Sequence, residues 1–260
     1  MQYFGFDRTL GQMRTFGFGL LEWLPTELFQ NNEQGVWYLP EPENLYQDAA
    51  MTIPVTANGD PVGAIMDLSG NGNHATQTVS ASRPTYQADG ILHWLAFDGV
   101  DDYYNLGFVA SGTNGSAFMI SVACKLLSTS AQGDIFEAAG DSGTRGGRII
   151  SFNGRYAFQT GTGGAARNTI TAGAPTGKDI LTLIYDGANM IARVNGTQVG
   201  RLNNITYASA STNSFIGSQD NDTEFANMEL YGALSYVGVA TQEKIEGTEK
   251  YLAQKSGVTL

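Results

Sequence analysis

Residues 183–200 read LIYDGANMIARVNGTQVG, and this stretch decides the fold. Leu183 and Tyr185, with Leu181 before them, share one face of an extended segment. Met190, Ala192 and Val194 share one face of the next, which is the period of two that marks half-buried strands. Asn195-Gly196 then separates residues 191–194 from 197–199, and Asn-Gly between strands is the strongest short-range hairpin signal. Asn153-Gly154 repeats the device between residues 149–152 and 155–158. Outward from these hairpins, further strands are expected at 92–97, 103–108, 117–125, 134–138, 180–185, 214–216 and 228–237. Many short strands with Gly or Asn between them predict an antiparallel sandwich or jelly roll.

The composition agrees. Gly is 33 of 260 residues and only 15% of residues are charged, which suits many turns and few solvated helices. Hydrophobic residues at 42% are ample for a core. Fourteen Lys and Arg against 25 Asp and Glu give a net charge of −11, which argues against nucleic acid or an anionic membrane as partner. The single cysteine, Cys124, lies in an apolar run, so no internal disulfide and no cysteine-based zinc site can form. His74 and His93 share no metal-binding spacing and are expected to be structural. The most apolar early stretch, residues 16–24, is too short for a bilayer and is interrupted by Glu22, so the chain is expected to be mature and soluble.

Two parts depart from the strand pattern. Residues 1–50 are expected to form an irregular N-terminal arm, and residues 51–260 the sandwich. A short helix can start at Pro25. The arm carries Phe16, Phe18, Trp23, Leu24, Trp37 and Tyr38 but is too short for its own core, so these residues are expected to anchor it on a partner, packing on its own body being the alternative. At the other end, Ile245, Thr248, Tyr251 and Leu252 form a helical stripe within 241–256. Thr241 is its expected N-cap and Gly257 its stop. This helix is expected to cover an edge or an end of the sandwich.

Five segments in order carry a resemblance: DLSGNGNHAT at 67–76, FDGVDDYY at 97–104, residues 183–200, FIGS at 215–218 and MELYGALSYVGV at 228–239. Together they resemble the concanavalin A-like lectin/glucanase superfamily, in its laminin-G-like jelly-roll branch. More narrowly, residues 33–86 and the tail IEGTEKYLAQKSGV resemble jelly-roll proteins of tailed-bacteriophage structural modules. The resemblance implies an all-β, antiparallel sandwich in a non-enzymatic virion component: a head decoration, fibre, collar or tail appendage. Its implied partners are capsid or tail proteins and further copies of the same chain. The alternative is a carbohydrate-binding module for host surface glycans, using Trp94, Tyr103, Tyr104, Arg145, Arg148 and Tyr156, whose aromatic faces and polar groups suit sugars. No cofactor is expected, with calcium at Asp98, Asp101 and Asp102 as the alternative, extended by Asp67 or Asn73. Laminin-G-like domains and pentraxins often hold calcium at the sandwich rim.

Catalysis is not expected. The glucanase branch places its carboxylates on a Glu-x-Asp-x-Glu strand, and no such string occurs. The nearest alternation, Asp220, Asp222 and Glu224, sits in a polar, turn-like stretch. No GxSxG accompanies either histidine, and Gly161–Gly164 lacks the Lys-Ser/Thr of a phosphate loop.

Overall fold

The computed structural model describes residues 3–6, 13–16, 23–113, 115–129, 132–140, 146–161, 167–208, 213–220 and 223–260. The strands in chain order are β1 (Tyr3–Phe6), β2 (Met13–Phe16), β3 (Gly35–Tyr38), β4 (Leu45–Tyr46), β5 (Ala64–Ile65), β6 (Ala75–Thr76), β7 (Thr85–Ala88), β8 (His93–Asp98), β9 (Tyr104–Asn105) and β10 (Phe118–Leu126). There follow β11 (Gly133–Gly140), β12 (Gly147–Phe152), β13 (Arg155–Gly161), β14 (Arg167–Thr171), β15 (Lys178–Tyr185), β16 (Met190–Val194), β17 (Thr197–Leu202), β18 (Asn213–Ile216) and β19 (Asn227–Val237). One α-helix, α1 (Gln242–Ser256), ends the order, and a turn of 3-10 helix spans Pro25–Leu28.

Two antiparallel sheets make the sandwich. The first runs β17-β16-β15-β10-β19-β8-β7, with β3 also paired to β19. The second runs β14-β13-β12-β11-β18-β9-β6-β5-β4. Strands β1 and β2 pair only with each other. Both expected Asn-Gly hairpins form, with Asn153 and Asn195 at φ of 50° and 48° and the following glycines at 76° and 75°. Positive φ at both central residues twists such a turn to match its strands.

Between the sheets lies the main core, including Phe97, Tyr104, Phe118, Ile120, Val122, Phe136, Ile149, Phe158, Leu181 and Leu183. Strand β10 is apolar on both faces because both are covered. Phe118, Ile120, Val122 and Cys124 point to this core, while Met119 and Ala123 point the other way, to a second cluster with Leu28, Leu234, Ile245 and Leu252. Helix α1 covers that second cluster. Strand β19 serves both layers by changing phase. Met228 and Leu230 face the main core, the register slips at Tyr231, and Leu234 and Tyr236 then face the helix.

The sandwich agrees with the sequence reading, and so do the helix limits. Thr241 Oγ1 accepts from the Lys244 amide at 3.3 Å, and Gly257 closes the helix at φ 73°. The helix does not cover an edge or an end, however. It lies against β10, β15 and β19, across the middle of the first sheet. The expected arm is corrected from residue 23 onward. Val36 pairs with Ser235 and Tyr38 with Ala233, so β3 is a strand of the sheet. Gly35 is required there, since a Cβ would lie 2.1 Å from the Ser235 carbonyl oxygen at φ +154°. Trp23 packs on the helix at Gly247, where a Cβ would lie 2.2 Å from Trp23 Cδ2. Trp37 meets Tyr251 edge-on with ring centroids 5.6 Å apart, and Tyr38 is buried with its hydroxyl on the Asn73 carbonyl.

Candidate functional site

The outer face of the second sheet collects the polar chemistry. One row of directly opposed residues crosses it: Thr76, Asn105, Phe215, Glu137, Arg148, Gln159 and Thr169. Opposed residues of antiparallel strands share a face, so this is a continuous stripe. Its middle is covered, and Phe215, Glu137 and Arg148 are buried. Its end at Thr76 and Asn105 opens into a cavity.

The covered part is an ion cluster. Arg148 Nη1 donates to Asp134 Oδ2 at 3.0 Å, Gln219 Oε1 at 3.1 Å and Glu224 Oε2 at 3.3 Å. Its Nε donates to Gln159 Oε1 at 2.8 Å. Burial holds the Asp134 carboxyl well above its ordinary value, Arg148 opposes this, and the Glu137 and Glu224 carboxylates add to it. Glu224 and Asp220 sit in the left-handed region, each at φ 54°, and Ala139 at 92°. Such strain persists only where surrounding structure enforces it. Here the Gln219–Thr223 backbone bridge and the Glu224 bonds to Arg148 and Gln132 enforce it at Asp220 and Glu224.

The open part is a cavity of about 450 Å³ lined by His74, Thr76, Gln77, Thr78, Tyr103, Asn105, Leu106, Gly107 and Asn213. Its walls are braced from behind. Gln77 donates to the Tyr103 carbonyl at 3.0 Å and accepts from the Val79 amide at 2.9 Å. The Asp67 amide donates to His74 Nδ1 at 3.0 Å, which leaves the neutral ring's proton on Nε2. Asn105 Oδ1 accepts from the Gly107 amide at 2.8 Å, which leaves its NH2 as donor. His74, Thr76, Thr78, Tyr103 and Asn105 line one cavity, and His74 Nε2, Asn105 Nδ2 and the three hydroxyls have no partner among the described residues.

Of the expected sugar-contacting residues that are described, Tyr103 alone lines this cavity. Tyr104 is fully buried and donates to the Val62 carbonyl at 2.7 Å. Phe97 and Tyr104, on either side of the turn, both face the core, which leaves Tyr103 toward the outside. Tyr156 is buried and donates to Asp179 Oδ2 at 2.8 Å. Arg148 turns its fork inward to the ion cluster. These three present no face to a sugar in solution. Trp94 is half-buried on the helix side, tilted against Tyr231 at 5.8 Å, away from the cavity. Arg145 lies outside the described residues, as do Phe18 and Asp222. Phe16 is the last residue of β2. Of the expected anchors, Trp23, Trp37 and Tyr38 pack within this chain, and Leu24 leads into the 3-10 turn beside them.

Asp98, Asp101 and Asp102 do converge, with one carboxylate oxygen of each within 4.8 Å of the others. Three oxygens are about half of a calcium sphere. Two carboxylates already close the turn: Asp98 Oδ1 accepts from the Val100 amide at 2.7 Å, and Asp102 Oδ2 from the Asp98 amide at 2.9 Å. Asp67 does not join them. Its carboxylate accepts the amides of Trp37, Ser69 and Asn73 and ties the SGNGN loop to β3.

No protein-family model and no curated protein matches the chain. Solved structures share its fold. The structure described as "Binding domain of Botulinum Neurotoxin DC in complex with SialylT" superposes with TM-score 0.54 at 16% identity, over 72% of this chain and 48% of that one. The botulinum neurotoxin serotype D binding domain gives 0.55 at 13%, over 72% and 48%. A Trypanosoma rangeli sialidase gives 0.56 at 12%, over 88% and 38%. The chain thus spans about half the length of the neurotoxin domains, and the likeness is one of β-sandwich fold. It supports the expected sandwich and adds nothing to the narrower phage resemblance.

Proposed function

We propose that this chain is a carbohydrate-binding β-sandwich module that holds its ligand in the cavity at Tyr103 and Asn105. One observation carries the reading: five polar residues, His74, Thr76, Thr78, Tyr103 and Asn105, each with a donor or hydroxyl unpartnered among the described residues, line one cavity with the Tyr103 ring. Sugars are bound by such sets, with hydroxyls meeting amides and hydroxyls and a C–H face meeting the ring. The volume falls in the range of small-ligand sites, about 300–1,000 Å³. Neighbours with the same fold are described as bound to SialylT and as dependent on "two ganglioside molecules" for cell entry, which fits a glycan role for the scaffold. The module binds without cleaving. Asp134 and Glu224, the carboxylates gathered on the same sheet face, are both clamped on Arg148 rather than held apart across a cleft.

A glycan array probed with the full chain tests this. Asn105→Ala and Tyr103→Ala are expected to weaken the binding found by about tenfold or more, the loss of one or two hydrogen bonds and a stacking face. Arg201→Ala, on a hairpin of the other sheet, is expected to bind as the unaltered chain does. A chain that binds no glycan, or binds one equally well in all three variants, rules the reading out.

A further inference from the structure

We infer that the ligand of this cavity is a neutral glycan and that sialylated or uronic-acid-terminated glycans are rejected; this rests on the carbohydrate-binding reading above. The described lining residues include no Lys, Arg, Asp or Glu. The groups without partners are a ring N–H, an amide NH2 and three hydroxyls, all uncharged donors, and the hydroxyls also accept. That set matches sugar hydroxyls, which donate and accept in turn. It does not match a carboxylate, whose desolvation needs a cation or several strong donors at one point.

Arg83 is not offered to the cavity. Arg83 lies behind Gln77 and Thr78, and each of its three nitrogens already donates to a backbone carbonyl: Nε to Gln77 at 3.0 Å, Nη1 to Gln47 at 3.0 Å and Nη2 to Thr78 at 3.2 Å. The nearest carboxylates in the sequence and in the strand register add negative charge around the cavity, although Arg83 and Arg148 stand behind its wall and its row. Asp67 stands behind His74, Asp102 precedes Tyr103, and Glu137 follows Phe215 in the row that begins at Thr76 and Asn105. The whole chain adds a net charge of −11. Among the described residues no cation is offered to an anionic sugar inside the cavity, and a charge desolvated without a partner carries a large specificity penalty.

The test uses matched pairs on an array and then in solution: a galactose-terminated oligosaccharide and the same oligosaccharide capped with sialic acid. The neutral member is expected to bind, and the capped member at least about tenfold more weakly. Neutral binding is expected to be unchanged between about 50 and 500 mM salt, since screening acts only on charged pairs. Val79→Lys, at an exposed position beside the rim, is expected to narrow the gap by strengthening the capped member. Equal or tighter binding of sialylated glycans by the unaltered chain overturns the inference while leaving carbohydrate binding intact. Neutral binding that survives both Asn105→Ala and Tyr103→Phe, with melting temperatures preserved, places the ligand elsewhere and overturns it too. No binding to any member of the array overturns the carbohydrate reading itself, and the inference with it.

Discussion

Asp102 shows how a single side chain reports on its surroundings. Burial, with Asp98 and Asp101 beside it, raises its carboxyl from 3.8 to about 6, against the opposing bond from the Asp98 amide. A carboxyl raised on folding favours the protonated folded state. Its contribution is complete below pH 3.8 and is lost as pH rises through about 6. Asp102→Asn keeps an acceptor for the Asp98 amide and removes the charge. The variant should melt higher than the parent at pH 7, with the difference vanishing toward pH 4; melts at several pH values check this. At this scale the sequence was only partly legible. The convergence of Asp98, Asp101 and Asp102 could be read because all three lie in one turn. The cavity could not, because His74, Thr76, Gln77, Asn105 and Asn213 come from segments far apart that meet only through strand register. Arg148 looked like a surface residue, since nothing in its own strand announces that Asp134 and Glu224 will close over it.

Elements were most legible where their own residues enforce them. Asn195 takes positive φ, and its side chain bonds both Asp179 Oδ1 at 2.7 Å and the Ile180 amide at 2.7 Å. Asn195→Ala should therefore destabilise by about 2 kcal/mol in denaturant melts, combining turn strain with two lost bonds. The two-residue strands β4, β5, β6 and β9 were missed as a group or blurred, since a pair of residues cannot display alternation. Helix α1 was legible in its limits but not in its seat, which depends on partners elsewhere. One is a two-pronged ion pair: Arg193 Nε and Nη2 reach Glu249 Oε1 and Oε2 at 2.8 and 2.9 Å. Glu249 is 1% exposed, so Glu249→Ala should leave the half-buried Arg193 without its carboxylate and cost about 2 kcal/mol by chemical denaturation. Another is the Trp23–Gly247 contact. Gly247→Ala gains about 1 kcal/mol of helix propensity, but the methyl would overlap the indole and displace it, at about 1–3 kcal/mol. A red-shifted tryptophan emission with an unchanged or lower melting temperature is the expected result.

Over the whole molecule, the division into arm and body fails because residues 23–50 complete both sheets and the helix layer. The front of the chain looked detachable because its aromatics follow no period. They are matched instead to a helix near the far end of the chain. A chain beginning at residue 51 should lack a cooperative thermal transition, since Leu234 and Leu252 lose the cover of Leu28 and the β19 edge loses β3. Strand β19 has a further consequence for how the protein comes into being. It pairs with β10 along its length, with β8 through its first residues and with β3 through its last. During synthesis, β3, β8 and β10 leave the ribosome well before the segment that joins them. The first sheet therefore stays open on the emerging polypeptide, its apolar edges exposed to chaperones and proteases, and can close only once translation has passed Val237.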